Sequence, residues 1–480
     1  MEQINVLLIN PRASAHWDRR IPFGLAYLAA VIRDRYRTRI VDMAAENMTD
    51  KELLDIIKKD GYNVVGITGM THQIMNAYTL TKLIKKNTSS IVILGGCHTY
   101  FCPDEALDSG SDFVIIGEGE ETLTELLEAF AKDKREYSDI KGLAFKGEKG
   151  EIVITQKREL LPDINVIPPP ARDMLPIAKY TDAGFFGRPA LEFMFGRGCP
   201  HNCIFCSSPA LWERRVRMFT LDRIMDEITE CTRRYRNRYI FITDDVFTVR
   251  RKFVMDFCAR VKDMRLRWWC ISRVDMVDRE MLLEMKRSGC AGISYGVESG
   301  DQAILDFENK GITINRIKET FRLHREIGLP AKALMIIGHP LETTETIRQS
   351  MELAKELDSF GYVCAQMMCP YIGTALYDSI AKDTGKITTY NWDDYVTWKF
   401  PPIFVPKDLD AETVYNAARE MSLIKGTTFR DYVMAFNIAR FEIFNWNFFF
   451  RPILSNSLKK LLPVFVTDWI RNMRDRVLKK

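Results

Sequence analysis

Three cysteines stand close together in Cys199-Pro-His-Asn-Cys203-Ile-Phe-Cys206, at spacings of four and three. Thiolate is a soft ligand, and thiolates grouped like this bind iron–sulfur clusters or zinc. Three ligands on a four-iron cluster leave one iron open to another molecule. A zinc site wants a fourth ligand, and His201 lies between the first two cysteines. The remaining reading is three buried free thiols. The run follows an apolar stretch, Ala190–Phe195, and opens with Gly196-Arg-Gly198, so the cysteines belong to a loop at the end of a strand.

The elements that position this loop read as a βα series. Candidate strands are Ala190–Phe195, Tyr239–Thr243, Trp268–Ser272, Gly292–Val297, Ala333–Ile337 and Tyr362–Gln366, with helical patterns between them. Six βα repeats predict an open, partial barrel. An earlier series lies in the first 130 residues. The runs Ile4–Ile9, Arg39–Asp42, Asn63–Thr68, Ser90–Leu94 and Asp112–Ile116 alternate with amphipathic stretches near 22–35, 49–59, 73–86 and 120–132. That alternation predicts a parallel, doubly wound sheet. Between the two series, Ala144–Glu159 alternates like a hairpin and Pro168–Pro170 is stiff. The expected division is 1–133, a linker with a small β element at 134–185, the barrel at 186–378 and a mostly helical region at 379–480.

The second series resembles the radical S-adenosylmethionine (radical SAM) superfamily. The cysteine motif has the family's aromatic residue, Phe205, before its last cysteine. Ile242-Thr-Asp244-Asp245, Ser272-Arg273-Val-Asp275, Gly296-Val-Glu298-Ser-Gly300, Ile336–Pro340 and Pro370–Thr374 look like its strand-end motifs, in order. The resemblance implies a [4Fe-4S] cluster on Cys199, Cys203 and Cys206, whose open iron is chelated by the amine and carboxylate of SAM. One-electron cleavage of the sulfonium then yields a 5′-deoxyadenosyl radical that abstracts hydrogen from unactivated carbon. It also implies Phe205 against adenine, Asp245 and Glu298 hydrogen-bonded to the amine or ribose, Arg273 paired with the carboxylate, and Ile337 among the SAM contacts. Read without the resemblance, Asp244 and Asp245 are equally suited to cap the following helix, and Gly300 to make a turn.

In the first series the informative residues cluster where a doubly wound sheet binds ligands, at the carboxyl ends of its strands. They are Asn10-Pro11, Thr68-Gly69-Met70-Thr-His72, Gly95-Gly96-Cys-His98 and Gly117-Glu118-Gly119-Glu120. Ahead of a radical SAM core, this set resembles the cobalamin-binding domain of the cobalamin-dependent radical SAM family. The resemblance implies cobalamin held by the loops at Thr68–Met70, Gly95-Gly96 and Gly117-Glu118. The usual Asp-x-His-x-x-Gly signature is missing. The corresponding loop, near Asp18–Gly24, has no histidine and His16 is out of register, so the expectation is cobalamin without a protein imidazole beneath it, base-off. His72 and His98 read as hydrogen-bonding wall residues rather than metal ligands.

Composition bounds the rest. The chain has 480 residues, 46% hydrophobic and 28% charged, which excludes wholesale disorder and suits two to four domains. A net charge of +4 gives no argument for a nucleic-acid partner. No run of 18 uncharged apolar residues predicts a membrane span. Eleven cysteines are too few for a disulfide scaffold, and no signal-like segment precedes the first strand, so the expected compartment is the reducing cytoplasm. From Arg451 to Lys480 there are eight Lys or Arg against two Asp, after an aromatic run that includes Trp446 and Phe448–Phe450. That basic, aromatic stretch, 441–480, packs as a helical lid or touches an anionic membrane face. The expected function is methylation of an unactivated carbon in a small-molecule, lipid or peptide substrate, with electrons from an external flavodoxin- or ferredoxin-type donor. The alternatives are radical cyclisation, rearrangement or coupling without methyl transfer, and a non-catalytic cobalamin or redox sensor.

Overall fold

The computed structural model describes residues 3–12, 20–180, 190–358, 361–422 and 424. Near-continuous apolar runs build its first sheet, as buried parallel strands require. The strands are β1 (Asn5–Asn10), β2 (Arg37–Asp42), β3 (Val64–Thr68), β4 (Ile91–Gly95), β5 (Phe113–Ile115), β6 (Leu143–Lys146) and β7 (Ile152–Ile154). Their order is β2-β1-β3-β4-β5-β6-β7. The first five are parallel, whereas β6 and β7 add antiparallel at one edge. Chain order reverses between β1 and β3, the switch point beside which such sheets leave a crevice. Helices between the strands have sequence-coded starts. Thr49 caps the helix Asp50–Asp60 and Glu52 reaches back to it, a reciprocal capping box.

The second sheet holds β8 (Leu191–Phe193) and, after a short hairpin of β9 (Gly196–Arg197) with β10 (Arg217–Met218), the strands β11 (Tyr239–Ile242), β12 (Arg267–Ser272), β13 (Cys290–Glu298), β14 (Ala331–Ile337) and β15 (Gly361–Met367). Its order is β15-β14-β13-β12-β11-β8, with every pairing parallel. Among the described residues no ladder joins β8 to β15, so the barrel is open. The α/β fold and both parallel series agree with expectation, with strand ends moved by one or two residues.

Two stretches depart from the expected division. The β element of 134–185 is the β6–β7 hairpin, and it extends the first sheet instead of standing in a linker. Past residue 378 the chain forms a ladder of β16 (Gly385–Ile387) with β17 (Phe404–Pro406) and a helix, Ala411–Ser422, packed on β14 and β15. Trp392, Tyr395 and Ile403 enter the core of the first sheet beside Ile74 and Leu94. One compact unit therefore runs to Ile424. The basic, aromatic 441–480 segment and the loop holding His16 lie outside the described residues.

Candidate active site

The cysteine loop leaves the barrel after β8 and is closed at its base by the β9–β10 ladder, where Arg197 pairs with Arg217 and Gly196 with Met218. Gly198 sits at φ +98, and a Cβ there would collide with the Arg215 carbonyl, so only glycine lets the two sides of the loop approach. Asp244, at the end of β11, accepts hydrogen bonds from the amides of Phe195 (2.7 Å) and Gly196 (3.3 Å). It therefore fixes the strand end ahead of the loop; capping of the next helix is not its role. Burial pushes its carboxyl up to about 7 against those two amides. Asp245 accepts from the Ser208 hydroxyl at 2.8 Å, and the Ser208 amide donates to Cys206 Sγ at 3.4 Å.

A strap from the far side of the barrel holds the loop. The Ile204 amide donates to the Glu308 carbonyl at 3.2 Å, and the Cys203 thiol donates to the Asn309 carbonyl at 3.9 Å. Lys310, next along, is buried and places Nζ 2.6 Å from Glu298 Oε1 and 5.9 Å from the centre of the Phe205 ring. Burial works against its charge, and the Glu298 carboxylate more than restores it. Arg273 donates to the Lys310 carbonyl at 2.6 Å and makes two bonds to Asp275, at 3.0 and 3.1 Å. Glu298 adopts φ +66, a left-handed backbone at a strand end, where strain marks functional positions. The strap escaped sequence reasoning, since Glu308–Lys310 belongs to no motif.

Burial pushes all three loop thiols up, Cys206 to about 12; Cys199 and Cys206 also feel Cys203 as a neighbouring charge, and Lys310 and Arg273 pull Cys203 back down. Among the described residues their sulfurs do not form a trio within 4.8 Å, the spacing of ligands on one ion. A metal group bound on the three thiols must take their protons as it binds. A cavity of about 280 Å³ opens at the carboxyl ends of β13–β15, walled by Phe205, Glu298, Ile336, Gln366, Met368 and Tyr371 among others. It brings Phe205 and Glu298 together. Ile337, expected among the SAM contacts, is fully buried in the core; its neighbour Ile336 lines the cavity.

In the first module the loops after β3 and β4 lock together. The Gly69 amide donates to the Gly95 carbonyl at 2.9 Å, and the His98 amide donates to the Gly69 carbonyl at 3.2 Å. Gly96, at φ +111, would drive a Cβ to 2.8–2.9 Å from Gly69 and the Thr68 hydroxyl. Met70 is 46% exposed on this edge and Gly117 has open space beside it, so the rim is apolar and accessible. Glycine backbone at Gly69 and Gly95-Gly96 and the exposed Met70 side chain thus form one edge of the first module.

Glu118 is a correction to the expected ligand loop. It is buried; Oε1 accepts from Arg197 and Oε2 from Arg217, each at 2.6 Å, and Oε2 accepts the Leu161 amide at 2.9 Å. Glu120 takes the other arm of Arg197 at 2.6 Å. The four charges tie the first module to the base of the cysteine loop. Burial would raise the Glu118 carboxyl, and the two arginines outweigh it and hold it low.

The comparisons with known proteins bear on both modules. Residues 19–127 match the B12 binding domain family, and residues 193–354 the Radical SAM superfamily. An uncharacterized methyltransferase of Pyrococcus horikoshii is 33% identical over 88% of this chain and 92% of its own length. The anaerobic magnesium-protoporphyrin IX monomethyl ester cyclase of Rubrivivax gelatinosus is 27% identical over 74% of this chain and 66% of that one. In fold, the radical SAM methyltransferase TsrM of Kitasatospora setae, solved with cobalamin and a [4Fe-4S] cluster, superposes with a TM-score of 0.68 at 17% identity, covering 86% of this chain and 84% of that chain. With both family models matched in order and a relative alike along nearly its whole length, the chain belongs to the cobalamin-dependent radical SAM methyltransferase family.

Proposed function

We propose that the protein methylates an unactivated carbon of a small, largely apolar molecule. The observation that carries this reading is the cavity walled by Phe205, Glu298, Ile336, Gln366, Met368 and Tyr371, which opens where the β-strands of the barrel end. When bound, a [4Fe-4S] cluster, SAM and cobalamin supply hydrogen abstraction and a transferable methyl group. Cys199, Cys203 and Cys206 hold the cluster. Phe205 offers a face to adenine, and Glu298, set by Lys310, accepts from the amine or ribose. In this arrangement Arg273 is tied to Asp275 and the Lys310 carbonyl, so it orients the strap and meets a carboxylate only by giving up that pairing. Thr68–Met70 and Gly95-Gly96 cradle the corrin's nucleotide tail, and Gly117 leaves it room. Residues 20–24 of the lower loop contain no histidine, which supports base-off binding.

The walls are mainly thioether, aliphatic and aromatic, with Glu298, Gln366, Thr397 and the Tyr371 hydroxyl as the polar groups and two thiols, Cys364 and Cys369, so they favour a largely apolar substrate and exclude water around it. A flavodoxin- or ferredoxin-type protein delivers the electron. Among the described residues no helix is long and apolar enough to cross a membrane.

The test uses SAM labelled in its methyl group with cell extract and reductant. Release of 5′-deoxyadenosine and S-adenosylhomocysteine together with a labelled product supports methylation. Deoxyadenosine with an unlabelled product moves the assignment to cyclisation or rearrangement, and neither nucleoside moves it to a sensor.

A further inference from the structure

We propose that His98, Cys102 and Glu105 form a zinc site in the first module, separate from the cysteine loop. The three residues stand at i, i+4 and i+7 across two short helical turns, Cys97–Phe101 and Pro103–Asp108, which places them on one side of the chain. One ligand atom from each lies within 4.8 Å of the others. A tetrahedral ion bound at about 2.0–2.3 Å holds its ligands about 3.3–3.8 Å apart, so small side-chain rotations would bring the three atoms onto one ion.

A second observation points at a ligand. The His98 ring is fully buried, and its Nε2 has no hydrogen-bond partner; the nearest acceptor, Glu105 Oε2, is 3.7 Å away. A buried ring nitrogen left without a partner loses its hydration with nothing in exchange, a cost that coordination removes. The surroundings are those of ligands held by outer partners. His98 Nδ1 lies 3.3 Å from the Thr71 hydroxyl, which leaves the Nε2 lone pair for an ion. Trp392 Nε1 donates to Glu105 Oε2 at 3.1 Å and the Tyr78 hydroxyl to the same oxygen at 3.5 Å. The Trp392 ring also meets the His98 ring edge-on at 4.9 Å. Cys102 is buried, whereas the Glu105 side chain is 43% exposed and gives the ion a way in and a water its fourth position. One nitrogen, one sulfur and one carboxylate oxygen suit zinc better than magnesium or calcium, which take oxygen alone. The ion would pin the turn after Gly96 to the Trp392 segment that follows the barrel.

The test uses the full chain with its iron–sulfur cluster loaded, so that Cys199, Cys203 and Cys206 are occupied. Zinc is added and excess removed, and content is read by metal analysis and zinc-edge X-ray absorption. Expected is one zinc per chain with a single sulfur at about 2.3 Å and nitrogen or oxygen at about 2.0–2.2 Å. Cys102→Ser should remove that sulfur. Trp392→Phe, which retains the ligands, should weaken zinc binding about 10- to 100-fold. A shell of three or four sulfurs would put the metal on the cysteine loop and overturn the proposal. So would a wild-type chain that keeps no zinc, which would leave a bare His98–Glu105 pair.

Discussion

Glu118 and Arg197 meet at 2.6 Å although 79 residues separate them, and Arg197 stands two residues before the first cysteine of the loop. The carboxylate of the first module thus grips the foot of the loop in the second. Removing one partner leaves the other charged and buried, so Glu118→Ala should cost about 3–5 kcal/mol. Urea unfolding monitored by circular dichroism checks it. Because Arg197 and Arg217 share the carboxylate, Arg217→Ala added to Glu118→Ala should cost far less than the sum of the two.

Cys203→Ala should abolish bound iron and sulfide and, with them, SAM cleavage. Glu298→Ala should keep the iron and bind SAM about 10- to 100-fold more weakly, the loss of roughly 1.5–3 kcal/mol for a hydrogen bond to a charged group. Iron assay and equilibrium dialysis separate the two effects. An unchanged dissociation constant for Glu298→Ala would remove that residue from the SAM site.

Gly96→Val should lower cobalamin uptake while iron content stays at wild type. The side chain strikes Gly69 and Thr68, so the variant disturbs the two loops themselves and does more than fill the tail's space. Ultraviolet–visible spectra of bound corrin report the loss. In the wild-type protein, electron paramagnetic resonance of the cobalt(II) state should show no nitrogen splitting, and its presence would establish an imidazole or benzimidazole ligand.

Asp244 links stability to pH. Its carboxyl is raised from 3.8 to about 7 in the folded chain. Between those values the folded state holds a proton that the unfolded state has released, so stability falls as pH rises from 4 to 7 and this contribution is constant above. At about 1.4 kcal/mol per unit the ceiling is roughly 4 kcal/mol. Asp244→Asn keeps an acceptor for the Phe195 and Gly196 amides and should flatten that slope in thermal melts across the range. A slope unchanged by the substitution would assign it to other groups.

Periodicity and motif spacing made the parallel sheets and the cysteine loop legible in the sequence, and the family resemblance singled out Phe205 and Glu298, which the fold brings to one cavity. Three features were not legible. The Glu308–Lys310 strap reaches the loop from 106 residues away, a tertiary contact no local pattern encodes. Glu118 sits at a strand end among glycines, where an acid looks like a ligand residue; only folding brings Arg197 and Arg217 to it. Ile337 and Ile336 differ by parity: the motif locates the strand end, but alternation sends one side chain to the core and the next to the cavity. The region after 378 read as a separate helical domain because its aromatics, Trp392 and Tyr395, gave no sign that their core lay in the first sheet.

The short β9–β10 ladder has a consequence for how the chain is made. Synthesis runs from the amino end, so Glu118 and its sheet leave the ribosome before Cys199. The thiols emerge next, yet the ladder that closes their loop waits for Arg217 and Met218. The seat exists before its occupant, and the gate shuts eleven residues after the last thiol, at Arg217, the second arginine Glu118 holds. The foot of the loop is therefore built from three separate stretches of chain, and it is complete only when the last of them, the strand holding Arg217, has been made.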